Sequence, residues 1–341
     1  MHGTGGVLIP PFLIDSGYIQ THGVEEQMIP DGHFSTAKSP NPEEAAALEM
    51  AIKKAKQIDA DLVMATDPDA DRIGIAIKDL NEEYILLNGN QTGAILVKYL
   101  LDAWLKKNKF KGNEMTVKTI VTSELLKEIS DSYGVEQYDV LTGFKWIADV
   151  VKRLEGNKKF IVGLEESFGY MIGDFVRDKD SVTTALLLAE MATIAANEGK
   201  SLFDQLVEIY LEYGFYKEGL VNVKKEGKTG AEEIVKMMED FRKNPPKKIA
   251  GSKVDVIKDY QSLESKNLNE NTIKRIELPK SNVLQYITED GTKISVRPSG
   301  TEPKIKFYVS VRENLNRKED FEKVNSLLDE KIKKVLIDLG L

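Results

Sequence analysis

Met64-Ala65-Thr66-Asp67-Pro68-Asp69-Ala70-Asp71-Arg72 is the stretch from which the rest of this 341-residue chain is best read. The apolar run Leu62-Val63-Met64 empties into three carboxylates at i, i+2 and i+4. Arg72 follows, and then the apolar run Ile73-Gly74-Ile75-Ala76-Ile77 leads away. Two apolar runs around a Pro/Asp turn predict a buried strand, a tight loop and a second strand. Three negative charges in one turn repel one another, so the loop calls for a cation. An all-oxygen donor set suits Mg²⁺, which readily keeps a position open for a phosphate oxygen.

Two rival chemistries for this loop fail on spacing. A calcium-binding EF-hand loop needs Gly at its sixth position and Glu at its twelfth, and here those are Arg72 and Lys78. A phosphatase nucleophile of the haloacid-dehalogenase kind wants a Gly-Thr type pair after the second Asp, where this chain has Ala70-Asp71. A solvated acidic turn remains open on the loop alone.

Composition narrows the setting. The length predicts two or three domains, and 41% apolar residues with 25 glycines fit a globular protein rich in turns. There is no cysteine and only three histidines, so disulfides and thiolate metal sites are excluded. A net charge of −8 argues against nucleic acid as a partner. Met1-His2-Gly3-Thr4 lacks the pattern of a secretory signal, and the most apolar stretch, 185–196, is short and broken by Glu190, so no membrane span and a cytoplasmic location are expected.

Along the chain, His2-Gly3-Thr4-Gly5-Gly6 reads as a turn, because Pro10-Pro11 stand where a helix would have to begin. Asn41 as cap, Pro42 and Glu44 predict the start of a helix that continues from Ala45 to Ile58. A second segment alternates helices 91–106, 144–154 and 182–197 with strands 117–121 and 159–162. The last of these strands ends in a second acidic turn, Gly163-Leu164-Glu165-Glu166-Ser167-Phe168-Gly169. From about Gly214 strands 220–223, 254–257, 283–287 and 304–311 surround a helix 231–242, with a long helix 318–339 at the end; the polar stretch 261–274 reads as an exposed connection. The expected architecture is α/β, with two α/β domains of mixed sheets (1–88 and 89–212) followed by an α+β domain (213–341). That last domain carries Ser295-Val296-Arg297-Pro298-Ser299-Gly300-Thr301-Glu302-Pro303. A planar guanidinium, two hydroxyls and a glycine that lets backbone N–H groups approach make a phosphate cradle; the same residues also compose an ordinary turn.

Three stretches, Thr66 to Arg72, Glu165 to Gly169 and Arg297 to Pro303, in this order and spacing, resemble the α-D-phosphohexomutase superfamily over nearly the whole chain. The Asp-Pro-Asp variant, Gly89-Asn90, Thr142-Gly143-Phe144-Lys145 and Arg177-Asp178-Lys179-Asp180 look most like its bacterial α-phosphoglucomutases and the related phosphopentomutase branch. The resemblance implies four domains around a cleft, each giving one loop. It implies Mg²⁺ on Asp67, Asp69 and Asp71, with Arg72 bracing the transferring phosphoryl group. Thr142, Gly143, Glu165 and Ser167 would contact the sugar, and Arg297, Ser299, Gly300 and Thr301 the phosphate that is not reacting. Lys179 is implied as a phosphate contact or proton-transfer group; a surface lysine balancing Asp178 and Asp180 is the other reading.

The superfamily's reaction passes a phosphoryl group from a serine, in a Ser-His-Asn-Pro type loop of its first domain, to a sugar phosphate and back through glucose 1,6-bisphosphate. That loop is not in this sequence: Ser39-Pro40-Asn41-Pro42 lacks the His. The chain thus resembles domains two to four, with the N-terminal catalytic domain as the partner that would complete it. The implied function is a phosphoglucomutase fragment inactive by itself. Phosphomannomutase or phosphopentomutase are the alternatives within the family, and a non-catalytic sugar-phosphate-binding protein the alternative outside enzymes.

Overall fold

The computed structural model describes residues 1–225, 227–300 and 303–341, the side chain of Lys228 excepted. The chain divides into two compact units, Met1–Ile209 and Tyr210–Leu341.

The first unit begins with helices α1 (Gly5–Asp15), α2 (Glu25–Met28) and α3 (Ala45–Ile58), followed by strands β1 (Leu62–Thr66), β2 (Ile73–Lys78) and β3 (Tyr84–Leu87) in an antiparallel sheet. Leu48, Ala55, Val63 and Ala76 pack between α3 and this sheet. Then come α4 (Gly89–Lys106), β4 (Glu114–Thr119), α5 (Leu125–Ser132), β5 (Glu136–Val140), α6 (Phe144–Arg153), β6 (Lys159–Glu165), β7 (Gly169–Ile172), α7 (Ser181–Asn197) and α8 (Leu202–Tyr213). The second sheet runs β5-β4-β6-β7, with β4 parallel to both β5 and β6, and β7 antiparallel at the edge. Its core is Met115, Val117, Ile147, Val151 and Phe160. Two helices carry reciprocal caps: Asn88 and Gln91 form a box at α4, and Ser201 with Asp204 does the same at α8.

The second unit carries β8 (Phe215–Lys224), α9 (Gly227–Lys243), β9 (Lys248–Ile249), β10 (Ser252–Asp259), β11 (Glu264–Asn267), β12 (Thr272–Arg275), β13 (Leu284–Thr288), β14 (Lys293–Pro298), β15 (Lys304–Glu313) and α10 (Phe321–Asp338). Its antiparallel sheet has the order β12-β11-β10-β13-β14-β15-β8, with β9 on β10. The α/β class expected from the sequence is the class observed.

Three local expectations are corrected. The glycine-rich opening is the start of α1 rather than a plain turn, and Pro10 and Pro11 lie inside that helix. A proline there loses its own N–H bond and crowds the carbonyl four residues back, a local cost that burial of Ile9 and Leu13 along one side of the helix offsets. The helix at 41–58 starts later than its capping signals suggest: Glu44 is its N-cap, without a side-chain cap bond, while Asn41 caps the preceding turn by accepting from Glu43 N. Finally, residues 261–274 are not an unstructured connection, since β11 and β12 form a hairpin in register Glu264↔Arg275 to Asn267↔Thr272. Its strands are largely polar, β11 mostly half-buried and β12 exposed, so the apolar alternation that marks a strand is missing.

Candidate active site at the acidic turn

The acidic turn is held by backbone geometry before any charge is considered. Thr66 ends β1 and Ile73 begins β2; Ala70 N donates to Asp67 O, and Ala70 sits at φ 57°, a left-handed conformation that costs a non-glycine residue energy. The opening segment braces the loop from outside. Thr4 N donates to Pro68 O at 2.8 Å, and a Cβ on Gly3 would stand 2.0 Å from that same oxygen. From the other side Ser181 N, at the start of α7, donates to Ala70 O at 3.2 Å. The strain is thereby over-determined by three elements.

Within this turn the carboxylates of Asp67, Asp69 and Asp71 each present an oxygen, and these oxygens lie within 4.8 Å of one another. Asp67 is buried, Asp71 half-buried and Asp69 exposed. Oxygens around an octahedral ion are about 3–4 Å apart, so the hard, anionic donor set fits Mg²⁺ after a small closure. Two cations flank the set. Arg72 Nε donates to Asp67 Oδ2 at 2.7 Å, and the backbone N–H groups of Arg72 and Asp71 donate to Asp67 Oδ1 at 3.0 and 3.1 Å. Lys179 Nζ lies 2.8 Å from Asp71 Oδ2 and 3.2 Å from Asp178 Oδ1. Its side chain is only 16% exposed, over the ring of Phe144 at 5.2 Å. Burial alone would lower the pKa of Lys179, but the hydrogen bond and charge of Asp71 outweigh it and hold the ammonium above its ordinary value. Lys179 is thus not a surface lysine, and Asp180 caps α7 through Val182 N instead of pairing with it.

The second acidic turn is pinned to the first. Ile73 N donates to Phe168 O, Arg72 bridges Gly169, and Phe168 is buried at φ 67°. Gly89 lies so close that a Cβ there would meet Glu166 O at 2.0 Å. Around this turn gather the C-terminal ends of the parallel strands, where α/β sheets place ligands. Glu165 Oε1 accepts from Gly143 N at 2.8 Å, and Glu166 Oε2 accepts from Thr119 and Thr122 hydroxyls at 3.0 and 3.3 Å. Burial, and then the charge of Glu166, raise the Glu165 pKa. Gly143 has φ 114°, which places its N–H on that carboxylate, and Thr142 and Ser167 are half-buried on the same turns. A Cβ on Gly169 would collide with Lys179 Cδ at 2.3 Å and come within 3.6 Å of Glu165 Oε2, so the acidic turn, the lysine and Glu165 form one continuous site in the first unit.

Sequence reading missed Asn41 and Glu43. Arg72 Nη1 donates to Glu43 Oε1 at 3.2 Å and Asn41 Oδ1 at 3.3 Å, so Asn41, which reads as a helix cap, and the nearby Glu43 also aim the guanidinium. It also missed Gly3 and Thr4 as the brace of the acidic turn.

In the second unit Arg297 lies on β14 directly opposite Lys306 of β15, and Ser299 N donates to Lys304 O at 2.8 Å to close the hairpin. Like charges facing across a ladder are unfavourable unless an anion bridges them. Gly300 is exposed; Thr301 lies outside the described residues.

Comparison with known proteins identifies the family of the chain. Residues 1–81 match phosphoglucomutase/phosphomannomutase alpha/beta/alpha domain II, residues 88–213 match alpha/beta/alpha domain III, and residues 220–323 match the C-terminal domain. The chain is 39% identical to a phosphoglucomutase of Staphylococcus haemolyticus over 311 residues, 91% of this chain and 56% of the relative. A Staphylococcus aureus phosphoglucomutase (strain MRSA252) is 39% identical over 312 residues, again 56% of its length. The chain therefore spans about half the length of the curated relatives it matches. Among solved structures, the open form of Paramecium pp63/parafusin, a phosphoglucomutase, superposes with TM-score 0.64 at 18% identity, over 98% of this chain and 56% of that one. A phosphoglucomutase/phosphomannomutase family protein of Burkholderia thailandensis gives 0.58 at 14%, over 92% and 54%. At those identities the likeness is one of fold.

Proposed function

We propose, because this chain belongs to the phosphoglucomutase/phosphomannomutase family, that it is the metal-, sugar- and phosphate-binding part of a phosphoglucomutase interconverting glucose 1-phosphate and glucose 6-phosphate. In this reading segments 1–88, 89–212 and 213–341 act as its domains, the phosphorylated serine lies on a domain outside this sequence, and the chain by itself does not turn over. The observation that carries the reading is the cluster of Asp67, Asp69 and Asp71 with Arg72 and Lys179 in direct contact. A protein that only bound a sugar phosphate would have no use for three converging carboxylates.

Asp67, Asp69 and Asp71 would hold Mg²⁺, which when bound supplies charge stabilisation to a phosphoryl group in flight. Arg72, aimed by Glu43 and Asp67, supplies a planar donor fork to the equatorial phosphoryl oxygens. Lys179, held charged by Asp71, offers an ammonium to phosphate on the same side. Glu165 accepts from sugar hydroxyls through Oε2, since Oε1 already accepts from Gly143 N. The facing cations Arg297 and Lys306, with Ser299 and Gly300, take the phosphate that is not transferring, with Thr301 expected beside them. Glucose 1,6-bisphosphate is the intermediate that such a site must accept in both orientations.

The sugar is read by calorimetric titration of the Mg²⁺-loaded chain with glucose 1-phosphate, mannose 1-phosphate and ribose 1-phosphate. Tightest binding of the glucose ester supports this reading, and preference for either of the others moves the assignment to a phosphomannomutase or phosphopentomutase.

A further inference from the structure

Strand β4 is buried on both faces, but only one of them is apolar. Met115 and Val117 belong to the hydrophobic core, while the alternate residues Glu114, Thr116 and Lys118 are polar and buried as well. The Lys118 side chain is 1% exposed. An ammonium withdrawn from water is costly unless it is paired, and two carboxylates pair this one. Asp139 Oδ1 lies 3.0 Å from Lys118 Nζ and Glu124 Oε1 3.1 Å from it. Asp139 is the partner of Lys118 across the parallel β4–β5 ladder, and Gln137 Nε2 donates to the same Oδ1 at 3.0 Å. Glu124 is the residue just ahead of α5. Burial by itself would lower the pKa of Lys118, but the charge of Asp139, and then that of Glu124, outweighs it and holds the ammonium above its ordinary value.

A buried ion network is a poor way to stabilise a fold, since apolar side chains of similar volume commonly do as well or better. What it can add is a fixed geometry, and here the geometry is that of two loops. Just past Lys118, Thr119 and Thr122 donate their hydroxyls to Glu166 Oε2 at 3.0 and 3.3 Å, before the same loop reaches Glu124. Just past Asp139, Val140 O accepts from Ile120 N at 2.8 Å, and Gly143 N then donates to Glu165 Oε1 at 2.8 Å. The two loops therefore grip the neighbouring carboxylates of the second acidic turn, one each. Those carboxylates repel, because the charge of Glu166 helps to raise the pKa of Glu165, so each needs its own anchor. Asp139 and Glu124 both approach one nitrogen to within 3.1 Å, and without it they would push the bases of the loops apart.

We propose that Lys118 is a positioning residue of the second acidic turn. By tying Asp139 to Glu124 it sets the spacing of the β4–α5 and β5–α6 loops, and through Gly143, Thr119 and Thr122 it fixes where Glu165 and Glu166 point. Buried as it is, the ammonium acts only through these partners. The consequence for sugar binding rests on the role proposed above for Glu165, whereas the consequence for loop geometry does not.

The test is the full chain carrying Lys118→Met together with Glu124→Gln and Asp139→Asn, which removes all three charges and leaves none unpaired. Amide exchange at Gly143 and Ile120 should become at least about tenfold faster than in wild type, while Val162 in β6 keeps its rate. Calorimetric affinity for glucose 1-phosphate should fall severalfold. Wild-type exchange at Gly143, an equal acceleration at Val162, or unchanged affinity in a wild type that binds would each overturn the proposal. Should the triple variant fail to fold, Asp139→Asn by itself keeps Lys118 paired with Glu124 and must speed Gly143 and Ile120 at least about threefold without altering Val162; unchanged rates overturn the proposal equally. If wild type binds no glucose 1-phosphate, the sugar reading fails, and the exchange rates still decide the role of Lys118.

Discussion

The acidic turn at Asp67–Arg72 and the hairpin tip at Pro298–Gly300 are both expected to meet charged oxygen chemistry, yet they are built in opposite ways. The acidic turn is enclosed: Gly3, Thr4 and Ser181 press on its backbone, Ala70 is strained, and Arg72 and Lys179 already engage two of its carboxylates. The hairpin tip projects, and a Cβ on Gly300 would meet nothing within 4 Å among the described residues. The difference follows from the task. Three carboxylates held together repel, so the framework must force them into position and neutralise them until a metal arrives. On the proposed reading, a tip made of a guanidinium, a hydroxyl and backbone N–H groups carries no such conflict and can stay open to an arriving phosphate.

That contrast can be broken at several points. The largest effect is expected from Asp67→Ala, which removes a proposed metal ligand and the acceptor of Arg72 Nε, Arg72 N and Asp71 N together. Calorimetric Mg²⁺ affinity should fall by more than about 100-fold; an unchanged affinity would place the metal elsewhere. Next comes Gly89→Ala, whose Cβ would press on the Glu166 backbone. Denaturant unfolding of the first unit should lose about 2 kcal/mol, and a neutral result would mean that the second acidic turn yields easily.

Glu165→Gln should raise the midpoint of thermal unfolding near neutral pH while weakening sugar-phosphate binding. The sign follows from its pKa, which burial raises. A carboxylate of raised pKa binds more protons folded than unfolded, so its presence lowers stability as pH rises from its ordinary value through the raised one. The amide removes that pH dependence, and equal slopes in wild type and variant would count against a buried charge. A smaller change is expected of Glu43→Gln, where both partners of the pair are about a third exposed: roughly 0.5 kcal/mol of stability, read from urea midpoints, with a larger loss of phosphate affinity because Arg72 is no longer aimed. The smallest belongs to Gly300→Ala, within about 0.5 kcal/mol of wild type; a cost of several kcal/mol would show the tip to be as constrained as the acidic turn.

What the sequence disclosed follows the same division. The strand–turn–strand around Asp67 was legible because its signal is local: an apolar run, a Pro/Asp turn and a second apolar run. Helices α4 and α7 were legible from their apolar length, within a residue or two of the observed bounds. The hairpin β11–β12 was not, because its polar residues carry no period-two apolar pattern and it forms by adding to the edge of β10. Helix α1 was hidden by Pro10 and Pro11, whose local penalty is overridden by burial of Ile9 and Leu13. Within the site the candidate residues came from short motifs, whereas the partners that aim them did not. Glu43 is 29 positions from Arg72 and Lys179 is 108 from Asp71, and such pairings are fixed by how helices lie on sheets rather than by spacing. Lys306 was passed over because it became a neighbour of Arg297 only through the β14–β15 register.

On the proposed reading this chain holds the binding loops of a phosphohexomutase while the phosphoryl-carrying serine lies outside the sequence. Conversion of glucose 1-phosphate to glucose 6-phosphate, with Mg²⁺ and glucose 1,6-bisphosphate present, tests it most directly when run on this chain and on a version extended through the preceding reading frame. Turnover by the extended protein alone is the predicted result. Turnover by the 341-residue chain itself would mean that one of its own residues accepts the phosphoryl group, and would contradict the account.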